Sequence, residues 1–273
     1  MGNPRKVCAY PYIIWIIGFT VIPLGIIVKY ALTDSTGVFS LYNILAIAQP
    51  VHLKALIFST EVAVICTLIC ILLSYPLVMS LKRLGYMGKR FSIFVLILPM
   101  WINFVLRLLA WQMILSNNGL LNALLELLHL PTIAIANTKT AMMIGLVYDY
   151  LPYMILPIYN CIDEIDDDLI DAARDLGANG FTVFLKIIFP LTIPGLLSGI
   201  VMVFVPSMTS FVTANVLGGG KYQLIGNVIE QEFMTTMDWN LGSGLSLILM
   251  IFTLISMVFT SGNEEPGKES AIW

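Results

Sequence analysis

The sequence has few charged residues and no large excess of either sign. Asp, Glu, Lys and Arg make up 11% of its 273 residues, and the net charge is −3. Soluble domains carry about a quarter charged residues, whereas here 58% of the residues are apolar and the mean hydropathy is +0.89. The composition excludes an ordinary soluble domain and predicts a polytopic membrane protein, with lipid rather than nucleic acid as its surroundings.

The sequence also lacks the motifs of metal, nucleotide and catalytic sites. Its four cysteines lie in or beside apolar runs without C-x-x-C or His-rich pairing, so we expect neither a metal site nor a disulfide. Residues 218–221 read Gly-Gly-Gly-Lys, but Asn215 and Tyr222 stand where a phosphate-binding loop needs Gly and Ser or Thr. Metalloprotease, hydrolase and dinucleotide motifs are missing as well. We therefore expect a protein that is not an enzyme and that binds no cofactor itself.

Six apolar windows are long enough to cross about 30 Å of hydrocarbon as helices. They are approximately 10–32, 56–80, 91–113, 139–161, 192–217 and 241–261. Helices are expected because lipid offers backbone groups no hydrogen-bond partner. The predicted fold class is therefore all-α, with one transmembrane domain of six helices over 1–273.

The Lys and Arg residues favour one orientation of these windows. With a cytoplasmic N-terminus, nine of the 14 fall inside, and the short loop 81–90 alone holds Lys82, Arg83, Lys89 and Arg90. Short cytoplasmic loops carry such an excess, so both termini are predicted to be cytoplasmic. The loop 162–191 is then also cytoplasmic. The outer segments are 33–55, 114–138 and 218–240, and the second of them is expected to contain a short interfacial helix.

The cytoplasmic loop contains a compact polar hairpin. An acidic run at 163–168 favours a helix N-terminus, where carboxylates meet the positive end of the helix dipole. Four small or apolar residues then recur on one narrow helical face, namely Leu169, Ala172, Ala173 and Leu176. Gly177 is placed as a left-handed C-cap, and a second helix over about 180–188 is expected to end at Pro190. Such a hairpin either contacts a soluble partner or rests on the bilayer.

The spacing within this hairpin resembles the EAA motif of bacterial ABC-importer permeases, written E-A-A-x3-G-x9-I-x-L-P. Five residues match in type and position: Ala172, Ala173, Gly177, Ile187 and Pro190. Asp171 replaces the usual Glu and keeps the carboxylate, and Phe189 replaces the usual Leu. The match lies after the fourth predicted span, on the predicted cytoplasmic side.

The resemblance extends over nearly the whole chain to the permeases of spermidine/putrescine importers. The order of the matching segments is similar to that of the first of their two permease subunits, the B-type. These segments include Leu98-Pro99-Met100-Trp101, Gly145-Leu146-Val147-Tyr148, Leu151-Pro152-Tyr153-Met154 and Leu217-Gly218-Gly219-Gly220-Lys221.

The resemblance implies a type I ABC-importer permease fold in the bacterial inner membrane. It also implies three partners: a second six-span permease, a homodimeric ABC ATPase that carries ATP and Mg, and an extracytoplasmic polyamine-binding protein. In this family a short helix docks in a groove of the ATPase. The matching residues here are Asp171, Ala172, Ala173, Arg174, Asp175, Leu176, Gly177 and Ala178. The implied function is to form half of a polyamine pathway and to couple it to the partner's ATP hydrolysis.

Two ionisable residues within the predicted spans are candidates for the substrate pathway, because such residues are costly in a membrane. Asp149 lies about 15 Å from the outer end of the fourth span, and Arg107 lies about 9 Å from that of the third. Asp149 beside Tyr148 is suited to contact an amine in transit. The alternative is a structural ion pair between Asp149 and Arg107.

Aromatic and hydroxyl side chains complete the candidate pathway. Trp101, Tyr148 and Tyr153 offer ring faces for cation–π contacts, or they serve as packing and interface anchors. After Pro206 come four candidate gate residues, Ser207, Thr209, Ser210 and Phe211. Local unwinding there would present carbonyls to a cation, and the alternative is a kinked helix whose hydroxyls bond back to its own carbonyls.

Other solutes remain open from the sequence. Permeases for sulfate, molybdate and ferric iron share the motif, and an ion-coupled secondary transporter is a rival of another class. The predicted membrane and outer parts carry more acidic than basic residues, which favours a cation over an oxyanion.

Overall fold

The computed structural model describes residues 10–82, 84 and 86–261, and within them the regular structure is helical apart from one isolated β-bridge between Thr33 and Phe39. The α-helices of the first half are α1 (Tyr10–Ile16), α2 (Ile22–Ala31), α3 (Tyr42–Leu45), α4 (Pro50–Lys82), α5 (Tyr86–Ile97), α6 (Phe104–Leu115) and α7 (Leu120–Leu127). Those of the second half are α8 (Lys139–Asp163), α9 (Asp167–Asp175), α10 (Gly180–Val183), α11 (Phe189–Leu191), α12 (Ile193–Thr209), α13 (Phe211–Leu217), α14 (Ile225–Gln231) and α15 (Trp239–Ser261). The predicted all-α class is confirmed.

Four helical segments are individually long and apolar enough to cross a membrane: Ile14–Ala31, Pro50–Lys82, Lys139–Asp163 and Trp239–Val258. The first combines α1 and α2 through a π-helical turn at Ile17–Val21. Two further candidates are bent pairs, Phe91–Trp101 with Phe104–Leu127 at 96° and Gly180–Leu191 with Ile193–Thr209 at 68°. The described chain thus has four candidate spans, or up to six if each bent pair counts as one. Helix α4 begins six residues before the predicted span 56–80, within the segment predicted to be outside.

The third predicted span, 91–113, is broken rather than straight. The chain forms a 3₁₀ turn over Leu98–Trp101 and becomes extended at Ile102 (φ −77°, ψ 140°). Asn103 then starts α6, because its side-chain oxygen accepts hydrogen bonds from the amides of Val105 (3.0 Å) and Leu106 (3.3 Å). These amides have no partner within a helix that starts here, so an Asn cap favours a new helix at this point.

Pro190 does not end the second helix of the polar hairpin, contrary to the prediction. The chain passes from α10 through a π-helical turn at Phe184–Ile188 into α11, and it leaves the helix only at Thr192. A proline is tolerated in the first turn of a helix, where its missing N–H would have no partner in any case. The π turn places Pro190 in that position.

The fifth predicted span, 192–217, is interrupted at Ser210. Helix α12 ends at Thr209, Ser210 has a non-helical backbone (φ −75°, ψ 65°), and α13 starts at Phe211. The predicted local unwinding therefore occurs at this position.

Contacts divide the chain into two compact units, and the first comprises the described residues up to Leu56 together with Ile225–Leu254. Two asparagine amides in this unit converge on the end of α2. Asn43 Nδ2 donates to the carbonyl of Thr33 at 2.8 Å, and Asn240 Nδ2 donates to the same carbonyl at 2.7 Å. They satisfy backbone acceptors where the helix ends.

The single domain predicted from the sequence stays a prediction.

The second unit comprises Ile57–Leu224 and the described residues from Ile255 onward. Its core lies between α4, α8 and α12, with Cys66, Cys70 and Leu146 fully buried. Helix α12 packs closely on α8 because it presents glycines there: a side chain at Gly195 would overlap the carbonyl of Pro157, and one at Gly199 would lie 2.7 Å from Met154 Sδ. Cys66 and Cys70 are free thiols in this apolar core, whereas Cys8 lies outside the described residues.

Candidate coupling surface and transport pathway

The polar hairpin begins with a well-capped helix, α9. Asp166 is the N-cap, and its carboxylate accepts the amide of Asp168 at 3.1 Å. At the other end Gly177 has φ +85°, and the amide of Ala178 donates to the carbonyl of Ala173 at 3.0 Å. A left-handed glycine with this bond terminates a helix and satisfies a carbonyl that the helix leaves free. The predicted C-cap at Gly177 is confirmed.

Helix α9 has a buried side and a strongly exposed side. Ile170 is 7% exposed and anchors the helix, while Ala173 and Ala178 pack half-buried against the same core. Leu176 is 90% exposed. The other exposed members of the predicted docking set are Asp171, Ala172, Arg174, Asp175 and Gly177.

The predicted narrow face is therefore divided between the two sides of α9. Ala173 faces the core because it lies one turn after the anchoring Ile170, whereas Leu169, Ala172 and Leu176 are exposed. The described residues therefore leave the apolar side chain of Leu176 almost wholly uncovered. The ion pair between Arg174 and Asp171 (3.0 Å) lies on the exposed side, where such pairs contribute little stability.

The second arm of the hairpin is held by its own cap and by aromatic packing. Asn179 accepts the amide of Thr182 at 2.8 Å and starts α10. Tyr75 of α4 packs edge-on against Phe184 with ring centroids 5.4 Å apart, and its hydroxyl lies 2.9 Å from Thr192 Oγ1. These contacts fix the hairpin to the membrane helices.

Arg107 and Asp149 form the ion pair that the sequence analysis gave as an alternative. Arg107 Nε lies 2.8 Å from Asp149 Oδ1, and the two side chains are 12% and 2% exposed. Arg107 Nη1 also donates to the carbonyl of Pro99 at 2.7 Å. Asp149 Oδ2 has no hydrogen-bond partner among the described residues, so this carboxylate keeps acceptor capacity unused.

Aromatic rings surround this pair. The guanidinium of Arg107 lies 5.9 Å from the ring centroid of Tyr148 and 5.7 Å from that of Phe104. Tyr148 packs edge-on against Trp111 at 5.1 Å. The structure thus brings Arg107, Tyr148 and Asp149 together, and it adds Trp111, which the sequence analysis did not select.

The two other predicted aromatic residues lie on the surface of the chain. Trp101 is 83% exposed and Tyr153 is 39% exposed. The ring centroids of Tyr153 and Tyr150 lie 6.2 Å apart.

The predicted gate shows both local unwinding and back-bonded hydroxyls. Ser207 donates to the carbonyl of Phe204 at 3.0 Å, and Thr209 donates to that of Pro206 at 3.2 Å. Ser210 Oγ forms a hydrogen bond of 2.9 Å with Thr213 Oγ1. Phe211 is the first residue of α13 and its side chain is half-buried.

Tyr150 also reaches the interrupted segment, since its hydroxyl donates to the Pro206 carbonyl at 3.3 Å. The sequence analysis missed Tyr150. Its position in α8, beside Asp149, would have been the available signal.

Two carboxylates in the segments that were predicted to lie outside have structural partners. Asp34 Oδ1 accepts the hydroxyl of Thr36 at 2.6 Å and the amide of Val38 at 2.9 Å, and these hydrogen bonds, led by that of Thr36, hold the pKa of Asp34 below its usual value. Asp238 Oδ1 accepts the amide of Leu241 at 2.9 Å, within the first turn of α15. In the described residues no cluster of three or more His, Cys, Asp or Glu side chains is arranged to hold a metal.

The chain matches one family of membrane transport proteins over most of its length. The model of the family described as "Binding-protein-dependent transport system inner membrane component" matches residues 22–262. The chain belongs to this family. It is therefore a multi-pass inner-membrane component of a transporter that works with a binding protein, and not an enzyme.

Individual relatives align in sequence with this inner-membrane component along nearly their whole length. The spermidine/putrescine transport system permease protein PotB of Haemophilus influenzae is 35% identical over 260 residues, which cover 92% of this chain and 91% of the relative. The protein of the same name in Escherichia coli is 36% identical over 245 residues, covering 87% and 89%.

Solved structures show that this transport component has the ABC-importer permease fold. A bacterial ABC transporter involved in the import of the acidic polysaccharide alginate matches with a TM-score of 0.80 at 14% identity, over 94% of this chain and 93% of that chain. The same system in complex with an alginate pentasaccharide-bound periplasmic protein matches equally well, at 13% identity over 94% and 92%. At this identity the likeness concerns the fold alone.

Proposed function

We propose that this chain is one of two six-span permease subunits of an ATP-driven importer of spermidine and putrescine. It forms half of the pathway and docks a homodimeric ABC ATPase in the cytoplasm, while an extracytoplasmic polyamine-binding protein delivers the substrate. The relatives at 35% and 36% identity, both named for spermidine/putrescine transport, support the substrate class. The observation that carries the coupling role is the exposed side of α9.

The docking surface consists of Asp171–Ala178. It combines a helix that is capped at both ends with an apolar residue that the chain leaves almost fully exposed, Leu176. Covering such a side chain with a partner removes its apolar surface from water, which contributes about 1.5–3 kcal/mol for a whole leucine side chain. In this proposal Ile170 holds the helix to the membrane helices while Leu176 enters a groove of the ATPase.

The proposed substrate path passes Asp149 and the rings around it. A polyamine is a flexible polycation, and Asp149 Oδ2 is an acceptor that no described group uses. The amine would compete with the guanidinium of Arg107 for the carboxylate, with the ring of Tyr148 available to either cation. The remaining proposed path residues are Trp101, Tyr153, Ser207, Thr209, Ser210 and Phe211.

The test is reconstitution of the complete transporter in proteoliposomes. With the second permease, the ATPase and the binding protein present, we expect ATP-dependent uptake of radiolabelled spermidine and putrescine, with sulfate, molybdate and ferric iron excluded. ATP-driven uptake of one of these other solutes instead would contradict the substrate assignment. Uptake that follows an ion gradient without the ATPase would indicate a secondary transporter.

The docking surface is tested with two matched variants of exposed leucines. Leu176→Ser should reduce co-purification of the ATPase by about tenfold or more, because it removes an apolar side chain whose full burial contributes about 1.5–3 kcal/mol. Leu127→Ser, at a leucine that is 76% exposed on α7, should leave co-purification unchanged. Equal retention of the ATPase by both variants would contradict docking at α9.

A further inference from the structure

Lys82, the last residue of α4, reaches the start of the cytoplasmic hairpin. Its ammonium donates to the carbonyls of Ile165 (2.9 Å) and Ile162 (3.4 Å), and it forms an ion pair with Asp167 Oδ1 at 2.9 Å. The Lys82 side chain is only 16% exposed. We call this group, Lys82 with Ile162, Ile165 and Asp167, the Lys82 latch.

The chemistry of the Lys82 latch matches what the hairpin needs at this point. The last carbonyls of a helix have no partner within it, and α8 ends at Asp163. An ammonium group has three N–H donors, and the latch offers Lys82 three acceptors. A cation is also favoured at a helix C-terminus and an anion at a helix N-terminus, and Lys82 and Asp167 occupy these places at the end of α8 and the start of α9.

Apolar packing joins the same elements beneath the latch. Val78, one turn before Lys82, is fully buried in the cluster that includes Ile162, Ile165 and Ile170. Ile170 is the anchor of α9 and is 7% exposed. The end of α4 and the helix proposed to dock the ATPase therefore share both a polar and an apolar connection.

A second lysine–carboxylate pair connects α4 and α8 away from the hairpin, between the first residue of α8 and the first half of α4. Lys139 Nζ at the start of α8 lies 2.7 Å from Glu61 Oε1 of α4, and the two side chains are 37% and 51% exposed. This pair joins the same two helices as the Lys82 latch, but it has no contact with the cytoplasmic hairpin among the described bonds. It provides a matched control.

We propose that Lys82 is a positioning residue that ties α9 to the end of α4, so that a movement of α9 displaces α4 together with α8. This rests on the proposed docking of the ATPase at α9. Without the latch, α9 remains attached to α8 through the chain itself, but its connection to α4 is reduced to apolar packing, which permits sliding. ATP hydrolysis then continues while a smaller fraction of cycles moves the pathway.

The experiment measures spermidine uptake and ATP hydrolysis in the same proteoliposomes containing the complete transporter. Lys82→Met keeps the length of the side chain but removes the charge and donors, and it should lower the uptake per ATP by about fivefold. Lys82→Arg keeps the cation and should restore most of the ratio. Lys139→Met should leave the ratio unchanged. Co-purification of the ATPase should be retained in all three.

A merely structural lysine would give a different result. Loss of folded complex lowers uptake and hydrolysis in proportion, so an unchanged uptake per ATP in Lys82→Met would overturn the proposal. If that variant does not assemble, Asp167→Asn decides in its place, with an expected decrease of about twofold and with an unchanged ratio as the contrary result. Failure of the unaltered complex to take up polyamine with ATP would instead contradict the proposed function.

Discussion

At the scale of single residues, the Arg107–Asp149 pair is the most buried of the ion pairs between described residues. Both charges are buried and lie 2.8 Å apart, so each offsets the desolvation of the other. Removing one partner of such a pair leaves an uncompensated charge and costs about 3–5 kcal/mol. The pair therefore has a structural role whatever its role in transport.

A double variant separates the two roles. Asp149→Asn should lower the stability of the detergent-solubilised complex by about 3–5 kcal/mol, and the combination with Arg107→Gln should recover most of that loss, because neither charge then remains. If Asp149 contacts the substrate amine, the stable double variant should still fail to take up spermidine while its ATPase activity persists. Uptake restored along with stability would show that Asp149 is structural only.

At the scale of elements, packing between α8 and α12 depends on the absence of a side chain. A Cβ at Gly195 would overlap the backbone carbonyl of Pro157 and would lie 2.7 Å from Cys161 Sγ. Backbone cannot move aside as a flexible side chain can. The two helices can approach this closely only with glycine at this position.

Gly195→Ala should therefore destabilise the protein by about 1–3 kcal/mol, the usual cost of overpacking. The measurement is the thermal unfolding midpoint in detergent. Gly25→Ala in α2 is the matched control, since no described atom lies within 4 Å of the added methyl group, and its midpoint should not fall. Equal midpoints for the two variants would contradict the close contact.

Apolar composition predicted the membrane helices because the requirement for internal hydrogen bonds in lipid leaves few other structures. The composition did not predict the bend at Asn103. This bend depends on one capping residue, and the window around that residue is otherwise apolar. The caps of α9 were readable from Gly177 and the acidic run. The role of Lys82 could not be predicted from the sequence. A lysine beside a span indicates only the orientation of that span. The partners of Lys82 include the backbone carbonyls of Ile162 and Ile165, and any residue at those positions would supply such a carbonyl.

The residues of the candidate pathway were also predicted only in part from the sequence. The cost of lone charges in a membrane gave two alternatives for Asp149, a substrate contact or an ion pair with Arg107, and the structure shows the ion pair. The rings of Phe104 and Trp111 around it depend on the rotation of α6, which the bend at Asn103 sets. Sequence periodicity cannot supply that rotation, so these residues were missed.

At the scale of the whole molecule, the two bent helix pairs decide the topology. If each pair crosses the bilayer, the chain has six spans, both termini are cytoplasmic, and α9 lies on the side of the ATPase. If both pairs return to the side from which they entered, the chain has four spans. Helix α8 then runs in the opposite direction, which places α9 outside. Docking of a cytoplasmic ATPase at α9 therefore requires that the first pair be a span.

Two exposed lysines, Lys186 and Lys221, distinguish these topologies when each is replaced by cysteine in a background without other accessible thiols. Six spans predict that a membrane-impermeant maleimide labels Lys221→Cys in intact cells but labels Lys186→Cys only after permeabilisation. With four spans, both cysteines should be labelled in intact cells. If only the first pair crosses the membrane, neither cysteine should be labelled in intact cells. The reverse pattern, with only Lys186→Cys labelled from outside, is expected if the second pair alone crosses, or if both pairs cross in the orientation opposite to that predicted from the Lys and Arg of the short loop 81–90. In either case α9 lies outside, which would contradict docking of the ATPase there.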